Sequence, residues 1–189
     1  MKLPIYLYGH PVLRTETKEV TPDYPDLDKL IQDMKETMYA SDGIGIAAPQ
    51  VGKSLRLIYI DVDVLKEELP DMAGKTFVLI NPVLTVDETS KTVTHEEGCL
   101  SVPGIHEPVA RHDRIHVKWT DENWQEHEQD FEGFVARVFQ HEYDHLEKTV
   151  FVDRLSPIRK QLIKAKLMNI VKGKVRCDYR TVGFKPLKK

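Results

Sequence analysis

The sequence predicts an α+β fold in which antiparallel sheets pack around a central helix, with a further helix toward each end. Three observations carry this. Strand-like segments follow one another as hairpins and meanders with no helix between them, which argues against a doubly wound sheet. Helical periodicity is confined to three stretches. The 189 residues fit one domain, with no repeat and no linker before about residue 153. Within it, 156–189 reads as a basic helix and tail of the same domain.

The elements follow in order. Leu27, Leu30, Ile31, Met34 and Met38 recur at helical spacing and predict a helix over roughly 26–41. Asp42 to Gly52 carries three glycines and a proline, against a helix or a long regular strand. Leu55–Asp61 reads as a strand, and so does Thr76–Val86, interrupted near Pro82. Thr89–Glu97 and Arg114–Thr120 alternate like strands with one wet face. Glu126–Phe131 is a weaker strand, leaving open whether Asp113 to Asp130 forms one hairpin or two. From about Gly133 the period becomes helical, with Phe134, Val138, His141 and His145 on one face. Ser156-Pro157 is an N-cap and N1 pair. It opens a cationic amphipathic helix with Ile158, Leu162, Leu167 and Ile170/Val171 on its apolar side, ending near Gly173.

Apolar residues make up 41% and charged residues 30%, as in ordinary globular proteins. The net charge of −3 excludes a molecule built to blanket nucleic acid, and no sequence-specific nucleic-acid binding is expected. Twelve of the 27 Lys/Arg but only one of the 30 acids, Asp178, lie from Arg154 onward. That basic arm, ending in Lys185-Pro186-Leu187-Lys188-Lys189, is either a docking device for an anionic partner or a solubilising tail. Two cysteines are too few for a disulfide scaffold. The N-terminal apolar run is broken by Pro4 and no long apolar stretch follows, so no membrane span is expected and the protein reads as cytoplasmic, with reduced thiols.

His141-Glu142-Tyr143-Asp144-His145 is an H-E-x-x-H pattern. On a helix, residues i and i+4 lie one above the other, so both imidazoles reach one point, and Glu142 sits beside it to accept a proton from water. A catalytic site of this kind needs a third protein ligand. No histidine follows His145 and no glutamate follows Glu147, so downstream only Asp153 and Asp178 remain. Asp153 is one candidate, which would make the protein an endopeptidase. Upstream the strongest is Cys99, in Glu97-Gly98-Cys99-Leu100-Ser101, where a glycine permits close backbone approach. Read from the residues alone, Cys99 is either a ligand or a small buried hydrophobe. Cys177, in the basic tail, is a poorer candidate.

Three segments then coincide: Gly43-Ile44-Gly45-Ile46-Ala47-Ala48-Pro49-Gln50, Glu97-Gly98-Cys99-Leu100-Ser101 and Gln140-His141-Glu142-Tyr143-Asp144-His145-Leu146. In order and spacing they resemble the motifs of the peptide deformylases, although that family commonly has Leu where this chain has Ile46. The resemblance covers about residues 1–155. It implies a hydrolase that removes the formyl group from formylmethionine of newly made proteins. It also implies one divalent metal held by Cys99, His141 and His145, usually Fe(II), with zinc, nickel or cobalt substituting. Glu142 would be the proton carrier, and the Gln50 amide and the Leu100 N–H the oxyanion donors.

Glu97 and Asp144 could orient a ligand or be solvated carboxylates, with Asp144 leaning to the latter. Phe134 and Val138 should line an apolar pocket for the methionine side chain, unless they are core. Ile44-Gly45-Ile46 could pair with an extended peptide as an added strand, beside Glu97 and Gly98. The arm is expected to contact the ribosome if it docks at all.

Overall fold

In the computed structural model, residues 1–67 and 70–184 are described; Lys185 to Lys189, the end of the basic arm, lies outside them. Strand β1 (Ile5–Tyr6) is followed by helix α1 (Leu27–Tyr39) and strands β2 (Gly45–Ala47), β3 (Leu57–Asp61), β4 (Thr76–Val86), β5 (Thr92–Cys99), β6 (Val102–His112), β7 (Arg114–Thr120) and β8 (Glu126–Glu132). Helices α2 (Gly133–Leu146) and α3 (Pro157–Val171) and strand β9 (Thr181–Val182) complete the chain. The main sheet is antiparallel, in the order β2-β3-β4-β7-β8, beside a separate β5-β6 hairpin. The α+β architecture agrees with the sequence reading.

Helix α2 buries Val135, Ala136, Val138, Phe139 and Leu146 against Ile58, Ile60, Leu79, Ile115, Val117 and Phe131 of the main sheet. Helix α1 buries Leu30, Met34 and Met38 against Ile46, Leu57, Tyr59 and Ile80 on another cluster. A third cluster joins Ile5 and Leu7, Val102, Ile105 and Val109, Phe151, and Ile163 and Ile170 of α3. Helix α2 thus packs one face on the main sheet, while its His141 ring stacks on Phe151 of the third cluster.

The interruption expected near Pro82 is a bulge within β4. The register with β7 shifts between Ile80 and Val83, and Asn81 takes a positive φ of 50°. Its side-chain amide holds both backbone groups of Val20, at 2.8 and 2.9 Å, which offsets the lost ladder pairing. Residues 113–130 form a single hairpin, β7-β8. Strand β6, eleven residues long, has no counterpart in the sequence reading, because Pro103, Gly104 and Pro108 mark it as loop. Pairing with β5 makes it a strand.

The expected apolar side of α3 needs correction. Ile163 and Ile170 are buried and Leu167 is half-buried, whereas Ile158 and Leu162 are 75% and 73% exposed. Nor do the residues after α3 run free. They return so that β9 pairs in parallel with β1. Among the described residues no helix is long and apolar enough to cross a membrane.

Candidate metal centre

The H-E-x-x-H pattern falls within α2, and the β5-β6 hairpin brings the 97–101 segment up to it. One ligand atom each from Cys99, His141 and His145 lies within 4.8 Å of the others, the one such group of three among the described residues. The Cys99 Sγ to His145 Nε2 distance is 3.4 Å. A thiolate and an imidazole bound to one tetrahedral ion would sit about 3.6 Å apart, from metal–ligand lengths of about 2.3 and 2.0–2.1 Å. His141 gives its Nδ1 to Glu97 at 2.9 Å, leaving the other ring nitrogen for the cluster. Among these buried groups, Glu142 Oε2 and His145 Nδ1 have no hydrogen-bond partner. A soft thiolate, two imidazoles and an unpartnered carboxylate oxygen together fit a divalent transition metal with an open position.

The electrostatics agree. Burial would pull the His141 pKa down, but contact with Cys99 and Glu97 raises it well above the ordinary value, so this spot favours a cation. Burial, reinforced by His141 and Arg111, holds His145 neutral, as a ligand must be. Burial also pushes Glu142 up to about 7.

Beneath the cluster lies a buried ionic network that the sequence reading missed. Glu97 accepts two bonds from Arg111, at 2.7 and 2.9 Å, and one from Arg137 at 2.6 Å. Burial acts to raise the Glu97 pKa, but the Arg111 and His141 contacts overcome it and hold the carboxylate ionised. Arg111 donates on to Asp144 at 2.9 Å, and Asp144 also accepts from both Nε (2.6 Å) and Nη2 of Arg154. Asp144, at 4% exposure, is therefore not solvated. Arg111 and Arg137 went unseen because a lone arginine signals nothing without β6 and its register.

Gln50 sits at the end of a short 3-10 turn, Ala48–Val51. Its Oε1 accepts from the Ala47 N–H at 2.8 Å, which fixes the amide flip. Its Nε2 then points at Cys99 Sγ (3.4 Å) and Ser101 Oγ (3.3 Å). Gly45 is required beside it: a Cβ there would lie 2.7 Å from Glu142 Cγ. At Gly98 a Cβ would lie 2.5 Å from the His106 ring, so the glycine makes room for a cross-strand neighbour.

A cavity of about 500 Å³ opens over the cluster. Ile44, Gly45, Gln50, Glu97, Gly98, Cys99, Leu100, Phe134, Val138, His141 and Glu142 all line it. Ile46 does not; its side chain is fully buried in the core against α1. Asp153 belongs elsewhere, paired with Arg14 at 2.5 and 3.0 Å and capping its own turn through Val150 N–H. Its expected alternative role as third ligand is corrected accordingly. Cys177, in the basic tail, lines the cavity but is not one of the three clustered ligand residues.

The family model for polypeptide deformylase matches residues 2–161. The chain belongs to the peptide deformylase family. It is accordingly a metal-dependent enzyme that removes the N-formyl group of newly made proteins. It is 44% identical over 187 residues to a peptide deformylase of Christiangramia forsetii, covering 95% of each chain. It is 42% identical over 186 residues to one of Salinibacter ruber, covering 96% of this chain and 95% of that one. Among solved structures, the peptide deformylase of Thermotoga maritima is 41% identical with a TM-score of 0.73, covering 83% of this chain and 99% of that one. A plant peptide deformylase is 32% identical with a TM-score of 0.79, covering 94% and 96%.

Proposed function

We propose that Cys99, His141 and His145 hold the metal and that Glu142, Gln50 and Leu100 act on a formylmethionyl peptide lying in the cavity. The convergence of a thiolate and two imidazoles on one point carries this reading. By family resemblance the native metal is Fe(II), with zinc, nickel or cobalt as substitutes. When bound, it supplies Lewis acidity that makes water a nucleophile near neutral pH.

Glu142 does the proton work. Its buried carboxylate, pushed up to about 7, accepts a proton from the attacking water and returns it to the departing amine. The Gln50 Nε2–H and the Leu100 N–H stabilise the oxygen that becomes negative. Because the amide is already fixed by Ala47, it reorganises little during reaction. Phe134 and Val138 receive the methionine side chain. An extended peptide lies along the backbone of Ile44 to Ile46, at the sheet edge that β2 forms, beside Glu97 and Gly98.

We further propose that residues 1–155 and the C-terminal 156–189 act as one domain in the cytoplasm. The partner of α3 is the ribosome, through exposed Ile158 and Leu162 flanked by Lys160, Lys164 and Lys166. Such docking is salt-sensitive. Reversing Lys160 and Lys164 to Glu leaves the core untouched and should abolish low-salt co-sedimentation with ribosomes; undiminished co-sedimentation refutes the docking.

The main test is anaerobic purification with metal analysis, then formate release from formyl-Met-Ala-Ser. The expected result is stoichiometric iron and formate production, both lost in Cys99→Ser. A full metal complement without formate contradicts the reading.

A further inference from the structure

Residues 176–179 lie beyond the stretch matched by the family model, yet all four line the cavity. The segment alternates: Val175, Cys177 and Tyr179 are half-buried while Arg176, Asp178 and Arg180 are exposed. It is anchored just beyond, where the Ile5 N–H donates to Arg180 O at 2.8 Å and the Leu7 N–H to Val182 O at 2.9 Å. From that anchored strand Tyr179 donates its hydroxyl to the Leu100 carbonyl at 2.8 Å.

Leu100 and Ser101 form the two-residue turn between β5 and β6, where the ladder register also shifts, between Gly98 and Cys99. The turn is therefore oriented largely from outside. The Tyr8 N–H holds Ser101 O at 2.7 Å. Gln50 holds the Ser101 hydroxyl and the Cys99 sulfur. Tyr179 holds the one carbonyl between them.

We propose that Tyr179 is a positioning residue of the deformylation reaction, fixing the Cys99-Leu100-Ser101 turn so that the Leu100 N–H faces the developing oxyanion. This rests on the reading of Leu100 as an oxyanion donor. A donor held loosely loses much of its effect, since small misplacements near the reacting atoms cost large factors in rate. The family-shared motif thus depends on a residue outside it.

The test uses full-length, metal-loaded protein. Tyr179→Phe deletes only the hydroxyl. It should lower kcat for formyl-Met-Ala-Ser roughly tenfold, leave KM within about twofold, and retain parental metal content. In the ¹⁵N spectrum of the zinc form, the Leu100 amide should shift while amides of α1 stay. Arg180→Ala, on the same segment but outside the cavity, should behave as the parent. An unchanged kcat, or a raised KM with unchanged kcat, overturns the proposal. Should Tyr179→Phe fold poorly, fluorinated tyrosines at 179 carry the same test: kcat must follow the strength of the hydroxyl as a donor, and indifference to it overturns the proposal. Replacing the Leu100 N–H by an ester oxygen separates the two readings. If that protein keeps full kcat, the oxyanion assignment itself fails; if it loses rate while Tyr179→Phe does not, only Tyr179's role fails.

Discussion

Two ionic clusters in this molecule pair carboxylates with cationic side chains and differ most in their access to water. Beneath the metal centre, Glu97, Arg111, Arg137 and Asp144 are each at most 6% exposed in their side chains. On the β7-β8 hairpin, His116, Lys118, Glu128 and Asp130 form a comparable set of contacts at 39–76% exposure. Removing a partner from the first set strands a charge in a low-dielectric interior, whereas in the second water replaces it. The buried set therefore orients His141 through Glu97, whereas the exposed set ties β7 to β8 through contacts that water can replace.

The largest effect should come from Arg111→Met. It leaves Glu97 and Asp144 without their shared guanidinium and should destabilise the protein by about 3–5 kcal/mol in urea unfolding; a loss below about 1 kcal/mol would erase the distinction. Glu97→Gln removes the negative charge that orients His141. Chelator competition should show metal affinity reduced roughly 10- to 100-fold. Asp144→Asn acts one residue further away and keeps most hydrogen bonds, so its affinity loss should be under about tenfold, with about 1–3 kcal/mol lost in stability.

The hairpin gives the smallest effect. Asp130 and then Glu128 raise the His116 pKa. A raised folded-state pKa contributes stability that is complete below the unfolded value and lost as pH rises through the folded one. The difference in Tm between the parent and His116→Ala should therefore be greatest near pH 5.5, about a unit below the ordinary histidine pKa, and vanish near pH 9. It should also shrink in salt. A difference that persists at high pH would mean that His116 acts through packing.

The contrast also explains what was readable in advance. His141, Glu142 and His145 were legible because helical spacing alone stacks i and i+4. The helices and β3, β4, β5, β7 and β8 were legible from periodicity, within two or three residues at their ends. Cys99 needed the resemblance, since no local pattern says which strand end meets which helix. Arg111 and Arg137 were illegible because their role exists only across the β5-β6 pairing, and β6 is written in prolines that suggest a loop. Ile158 and Leu162 misled because helical spacing marks a face without saying whether anything covers it. The return of residues 176–182 over the cavity depends on the parallel β1-β9 pairing between distant parts of the chain, which leaves no local trace.

The account stands on the meeting of one thiolate with two imidazoles at a single ion. X-ray absorption on the zinc-loaded, full-length protein measures this directly. It should show one sulfur at about 2.3 Å and nitrogen at about 2.0–2.1 Å, with the sulfur shell gone in Cys99→Ser. A parental spectrum with nitrogen and oxygen scatterers alone would contradict it.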